Sequence, residues 1–260
     1  MIKPWMYKGK SGLPLAGWSY RKPVTLSRAS GHVHNYQMKL LVGKSSSATG
    51  ENVDCADHVA ADFDDLRFTT SGGETLLDYW IESISGSGSS SLATVWIEFD
   101  MIDTGATTFY MYYGGTETAV SSGVNTFIAF DNFERGNDGD TVGGSWTEVY
   151  AHVHISTEQE YTGIAADTRS AKLVGATGVY PAMTYTLAPS VNLSIQVRFY
   201  KEAAAADVYP LYHGDGTKRA QIEVDTDGSV FWYSSTSTKN DTGVNSTNDA
   251  WNLLEINNFD

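Results

Sequence analysis

Between Asp64 and Gly115 apolar and polar residues alternate in short runs closed by Gly, Ser or Asp. Val95, Ile97 and Phe99 fall on one side of an extended segment and Trp96 and Glu98 on the other. Phe109, Met111 and Tyr113 likewise oppose Tyr110 and Tyr112. A period of two marks half-buried β-strands, and no stretch here repeats apolar residues at helical spacing. Strands are expected over 65–69, 76–82, 93–99 and 107–115, the second and third joined by the Ser-rich link 85–91. Upstream, strands are expected over 21–27, at an edge or strand start because of Pro23, and 36–42, with one short helical turn within 51–63. Aromatic side chains on both faces of such strands suit a sandwich whose second face is covered by a loop, a domain or a ligand.

Arg67-Phe68, Tyr79-Trp80-Ile81-Glu82, Val95-Trp96 and Tyr112-Tyr113-Gly114, with Trp18-Ser19-Tyr20-Arg21-Lys22-Pro23-Val24 upstream, resemble an uncharacterised β-domain family of secreted and surface multidomain proteins. The resemblance covers about residues 16–120. It implies a β-sandwich and no reaction, and family members often adjoin concanavalin-A-like jelly rolls. After a Ser/Gly/Thr-rich connector, Phe130-Asp131-Asn132-Phe133-Glu134, an acidic Gly-rich loop and Trp146 look like the opening of such a jelly roll. Strands expected at 152–156, 170–174, 183–187, 193–200, 221–224, 230–233 and 251–256 support it, with Asp225-Thr226-Asp227-Gly228 as a hairpin turn. The expected fold is therefore all-β: an extended arm over 1–15, a β-sandwich over 16–120 and a jelly-roll-like sandwich over 127–260. The second sandwich is expected to lack its last strands, supplied by further chain, a partner or the arm.

Composition refines the picture. The 41% hydrophobic and 12% aromatic content is globular, and 25 Gly favour many turns. Cys55 is the single cysteine, which excludes an intrachain disulfide. The net charge is −14, yet residues 1–50 hold eight Lys and Arg and no acid. An acidic whole argues against nucleic acid as partner. The basic arm, with Trp5, Tyr7, Lys8 and Lys10, is an expected interface to other subunits or to the chain's own acidic surface. No apolar run opens the sequence as a secretory signal would, and none approaches the roughly 20 residues that span a bilayer. These features point to a virion surface component, such as a tail fibre or capsid decoration. A secreted or cell-surface adhesin fragment is the alternative.

Candidate chemistry is sparse. Asp131, Glu134, Asp138 and Asp140 offer hard oxygens to a structural Ca2+, without the spacing of a twelve-residue calcium loop. His152 and His154 share a strand face but have no third ligand nearby in sequence, and His32 and His34 repeat that spacing in a turn. Glu98, Glu148, Glu223 and Glu255 lie on expected strands; none belongs to a recognisable jelly-roll glycosidase motif, and no Gly-x-Ser-x-Gly elbow occurs. A glycan-cleaving enzyme is therefore the remoter reading. Contact with a host-surface glycan is expected instead from aromatic platforms beside polar groups: Trp232 and Tyr233, with Tyr212, His213 and Asp215 in a neighbouring loop.

Overall fold

The computed structural model describes residues 15–28, 31–73, 75–116, 120–149, 152–161, 168–174, 181–186, 193–202, 208–214, 219–233 and 239–259. The chain divides into two compact units, Met1–Arg135 with Thr162–Arg169, and Gly136–Tyr161 with Ser170–Asp260. Both are built of β-strands, as the alternation predicts. Among the described residues no helix is long and apolar enough to cross a membrane.

The first unit contains β1 (Trp18–Arg28), β2 (Val33–Gly43), β3 (Val53–Asp54), β4 (Arg67–Thr69), β5 (Leu76–Leu77), β6 (Tyr79–Ser85), β7 (Leu92–Ile102) and β8 (Gly105–Gly115). They form two four-stranded sheets, ordered β1-β8-β4-β5 and β3-β2-β7-β6. Strand alternation decides the core. Val95, Ile97 and Phe99 from β7 are buried with Phe109, Met111 and Tyr113 from β8, together with Leu40, Phe68 and Tyr79. Each large apolar side chain removed from water in this way stabilises by roughly 1.5–3 kcal/mol. Pro23 sits in an edge strand, where its missing N–H costs no interior ladder bond.

Two local expectations are corrected. The segment 76–82 is not one strand: Leu77 pairs with Phe68 in the first sheet, and Tyr79 pairs with Ile97 in the second. Asp78 turns the chain between the sheets, and its carbonyl accepts the Glu98 N–H at 2.9 Å. Nor does 51–63 form a helical turn. Val53–Asp54 runs parallel to β2, and Ala56, Asp57 and Phe63 adopt φ of 51°, 61° and 58°. Left-handed residues cannot continue a right-handed helix.

That loop is held by a buried polar node. The Asp65 carboxylate accepts the Ala60 N–H at 2.9 Å and the Gly114 N–H at 2.6 Å, while the Trp18 indole donates to the Asp65 carbonyl at 2.7 Å. Arg67, only 4% exposed, donates to the Leu66 carbonyl at 2.6 Å and lies 5.0 Å from the Trp18 ring centroid. Tyr79 donates from its hydroxyl to the same carbonyl at 2.7 Å. Buried charge is tolerated only with such partners. The Gly114-Gly115 pair is fitted to the same strand end. A Cβ on Gly115 would fall 2.8 Å from the Trp18 indole nitrogen. One on Gly114, where φ is +72°, would fall 2.6 Å from the Tyr20 ring. Tyr20 in turn stacks on His58 at 4.1 Å and on Tyr113 at 5.5 Å.

The outward aromatic face of the second sheet is covered by the connector. The Ser122 N–H bonds to the Tyr79 carbonyl and the Ser121 hydroxyl accepts the Ile81 N–H, both at 2.8 Å. Between them and Phe130 lies α1 (Gly123–Thr126), whose N-cap Ser122 accepts the Asn125 N–H. Phe127 and Phe130 then meet Trp80 edge-on at 5.8 and 4.7 Å. Phe127 also reaches Trp96, whose indole donates to the buried Glu82 carboxylate at 2.8 Å. Gly123 lies flat against the Phe130 ring, which a Cβ would strike.

The second unit holds β9 (Trp146–Val149), β10 (Val153–Ser156), β11 (Ser170–Leu173), β12 (Ala182–Tyr185), β13 (Leu193–Lys201), β14 (Val208–Gly214), β15 (Arg219–Val224), β16 (Ser229–Tyr233), β17 (Lys239–Asn245) and β18 (Ala250–Phe259). The antiparallel pairs are β10-β11, β12-β9 and β13-β18, and β14 to β17 form a four-stranded meander. Two of these strands, β14 and β17, are not marked by alternation in the sequence. In β17, Lys-Asn-Asp-Thr-Gly-Val-Asn lacks the apolar positions that would mark it.

Two outcomes follow from this packing. Gly114→Ala is expected to destabilise the first unit by about 1–3 kcal/mol, through overpacking and left-handed strain, read as a lowered unfolding midpoint. Burial, which outweighs the favourable field of Lys22, pushes the Cys55 thiol up to about 12. Native protein at pH 8 should therefore leave Cys55 unmodified by a thiol reagent that labels it after denaturation; rapid labelling without unfolding would contradict this burial.

Candidate functional site

The meander β14 to β17 carries the aromatic residues singled out in the sequence. Its central turn is fixed locally. The Gly228 N–H bonds back to the Asp225 carbonyl at 3.0 Å, Gly228 has φ of +94°, and the Asp227 carboxylate accepts the Ser229 N–H at 2.9 Å. That hydrogen bond holds the Asp227 carboxyl below its usual range. The turn sets the register: Val224 lies opposite Val230, Glu223 opposite Phe231, Ile222 opposite Trp232 and Gln221 opposite Tyr233. On β17, Asn240 lies opposite Trp232, with Asp241 and Lys239 opposite Phe231 and Tyr233.

Directly paired residues share a face, and successive residues do not. One face therefore carries Glu223, Phe231, Tyr233, Lys239 and Asp241, and the other carries Ile222, Trp232 and Asn240. On the first face Glu223, 4% exposed, is the hub. Its carboxylate accepts from the Tyr233 hydroxyl and, at 2.9 Å, from the Lys239 ammonium. The ammonium lies 3.6 Å from Asp225 and 4.0 Å from the Phe231 ring centroid. Its hydrogen bond to Glu223 raises the Lys239 pKa against a smaller opposing effect of burial. Three strands are thus tied together from behind. On the other face the Trp232 side chain is 44% exposed, beside the Asn240 carboxamide.

The structure separates the predicted glycan set. Trp232 and Tyr233 point to opposite faces, and Tyr233 is held by Glu223, so the two cannot form one platform. Tyr212 and His213 lie in β14, not in a loop, with Tyr212 in register with Gln221 and His213 with Ala220. Asp215 lies outside the described residues, as do Trp5, Tyr7, Lys8 and Lys10 of the expected interface. Trp146 and Trp251 are packing residues. Trp146 meets Tyr185 across β9 and β12 at 5.3 Å, and Trp251 donates to the Glu160 carbonyl at 2.9 Å between the Tyr161 and Tyr200 rings. The residues that sequence reasoning missed are Asn240 and Lys239, whose strand carries no alternation signal.

The four carboxylates proposed for Ca2+ each have local partners. Asp131 takes Arg135 in a bidentate pair at 2.6 and 2.9 Å, Asp138 accepts the Thr157 N–H at 3.1 Å, and Asp140 accepts the Asn137 N–H at 2.7 Å. Glu134 accepts from Thr168 and Arg169; burial would raise its pKa, but these bonds outweigh it and hold the carboxyl below the usual range. Among the described residues no group of three or more His, Cys, Asp or Glu side chains converges as a metal site. Of the other strand carboxylates, Glu148 accepts the Val142 N–H and Glu255 the Gln196 amide, both at 2.8 Å. Glu98 has a raised pKa from burial and from Asp100 and Asp78.

Residues 62–149 match a family described as Domain of unknown function (DUF2341). The matched segment contains β4 to β8 and the connector with its aromatic cluster, and ends on the last residue of β9. No curated protein and no solved structure matches the chain.

The Glu223 hub predicts an alkaline dependence. Because the folded-state pKa of Lys239 lies above the ordinary 10.5, its stabilising contribution is complete below that value and is lost as pH rises through the folded pKa. Lys239→Met should lower the unfolding midpoint at pH 8 and flatten the decline of stability above pH 10.5. An unchanged midpoint with an unchanged alkaline limb would remove Lys239 from the hub.

Proposed function

We propose that the chain is a non-catalytic attachment module of a surface assembly, and that its second unit contacts glycan through Trp232. The concanavalin-A-like reading of that unit belongs to the same proposal. The observation that carries it is a tryptophan 44% exposed in a sheet whose reverse face is locked by Glu223, Tyr233 and Lys239. Leaving a large indole in water forgoes the burial that tryptophan ordinarily supplies. A flat ring carried on a strand that is hydrogen-bonded to neighbours on both sides instead presents a surface whose backbone needs little further ordering on binding. Asn240, next to it in register, donates its side-chain amide to the Trp232 carbonyl at 3.4 Å and so places a polar side chain beside the indole. Sugar rings combine an apolar C–H face with equatorial hydroxyls, which is the pattern this arrangement complements. The first unit serves as the sandwich that precedes the binding unit in the chain.

A glycan array probed with the intact protein is expected to give hits that Trp232→Ala weakens by roughly tenfold, about 1.4 kcal/mol, with the circular dichroism spectrum unchanged. A blank array with wild-type protein would remove glycan contact and leave a structural role alone.

A further inference from the structure

At one end of the second sheet of the first unit, the start of β2 lies against the end of β7. Three ligating side chains meet there. The sequence places His32 and His34 in a turn, but His34 belongs to β2, and register sets it opposite Met101 and sets Val33 opposite Ile102. Ile102 is buried and Val33 packs against the same core, so alternation turns His32, His34 and Met101 outward. All three are exposed, Met101 by 47%. The Thr104 hydroxyl donates to the Gly31 carbonyl at 2.6 Å and ties the approach to β2 to the turn after β7. The two imidazole rings stand edge to face with their centroids 5.5 Å apart. Two imidazoles that bind one ion at about 2.0–2.1 Å hold their centroids roughly 5–6 Å apart, so this pair already stands at ligand spacing. Directly opposed residues of an antiparallel ladder have Cβ atoms about 4.5–5.5 Å apart, which brings the flexible Met101 thioether within reach of an ion at His34. The donor set selects the ion. Zn2+ takes about three or four strong ligands, and among the described residues no third His, Cys, Asp or Glu joins the pair. Ca2+ and Mg2+ call for oxygen ligands. A thioether beside imidazoles suits a soft ion of low coordination number instead.

We infer that His32, His34 and Met101 form a binding site for a soft monovalent cation, Cu(I). The site is separate from the glycan reading and stands or falls without it. The test is competition for Cu(I) between the intact protein and the chromophoric chelator bicinchoninate, under argon with ascorbate. The wild type should withdraw one equivalent of Cu(I) from the chelator. Affinity should fall at least tenfold in His32→Ala and in His34→Ala and several-fold in Met101→Leu, with circular dichroism spectra unchanged, since all three side chains lie outside the core. Cys55→Ala should leave the affinity as it is, because that thiol is buried. Zn2+ should bind the wild type at least tenfold more weakly than Cu(I). No withdrawal of Cu(I), or withdrawal indifferent to both histidine variants, would overturn the site. Withdrawal lost in Cys55→Ala alone would assign the metal to the thiol and overturn it as well. Binding indifferent to Met101→Leu, or Zn2+ bound as tightly as Cu(I), would overturn the soft-ion assignment.

Discussion

Side chains on an extended strand cannot face the same way twice in succession, and that constraint organises both units. In the first it sorts β6, β7 and β8 into a core face, with Tyr79, Val95, Ile97, Phe99, Phe109, Met111 and Tyr113, and an outward face that still carries Trp80, Trp96 and Tyr110. Neither sheet can bury both faces against the other. The outward aromatics of the second sheet therefore need a separate cover, which Phe127 and Phe130 provide. In the second unit the same alternation separates Trp232 from Phe231 and Tyr233, so one face is closed by a polar hub and the other presents an indole.

The polar groups inside the fold follow a common rule. Asp65, Arg67, Glu82 and Glu223 are all buried, and each meets a partner that compensates for lost water: backbone N–H groups for Asp65, carbonyls and a ring for Arg67, an indole N–H for Glu82, a hydroxyl and an ammonium for Glu223. Leaving such a group unpartnered costs about 1–3 kcal/mol, and more when it is charged. These nodes consequently fix conformations that apolar packing leaves loose. Asp65 fixes the loop from Ala60 to the start of β4 and its approach to Gly114. Glu223 fixes the mutual position of β15, β16 and β17, and with it the orientation of Trp232.

Legibility in the sequence tracked the strength of the alternation. The faces of β7 and β8 and the Asp225-to-Gly228 turn were readable because their patterns are local. The split at Asp78 was not, since a run of apolar and aromatic residues reads alike whether it stays in one sheet or crosses between two. Strands β14 and β17 are obscure for the opposite reason: Tyr212 and His213 read as part of a loop, and Lys239 to Asn245 has the composition of one. Backbone pairing with β15 and β16 makes them strands nonetheless.

The sequence by itself determined an all-β chain, the core side of its best strands, the excess of negative charge and the absence of an intrachain disulfide, because each depends on composition or on neighbours along one strand. Only the tertiary structure decided that Trp232 and Tyr233 serve opposite faces of one sheet with different partners. It also decided that Gly114 and Gly115 make room for Tyr20 and Trp18, and that Thr157 engages Asp138 while Thr168 and Arg169 engage Glu134. Those outcomes depend on which strand lies beside which, and register between segments far apart in the chain is set by the packing of the whole unit rather than by any local period.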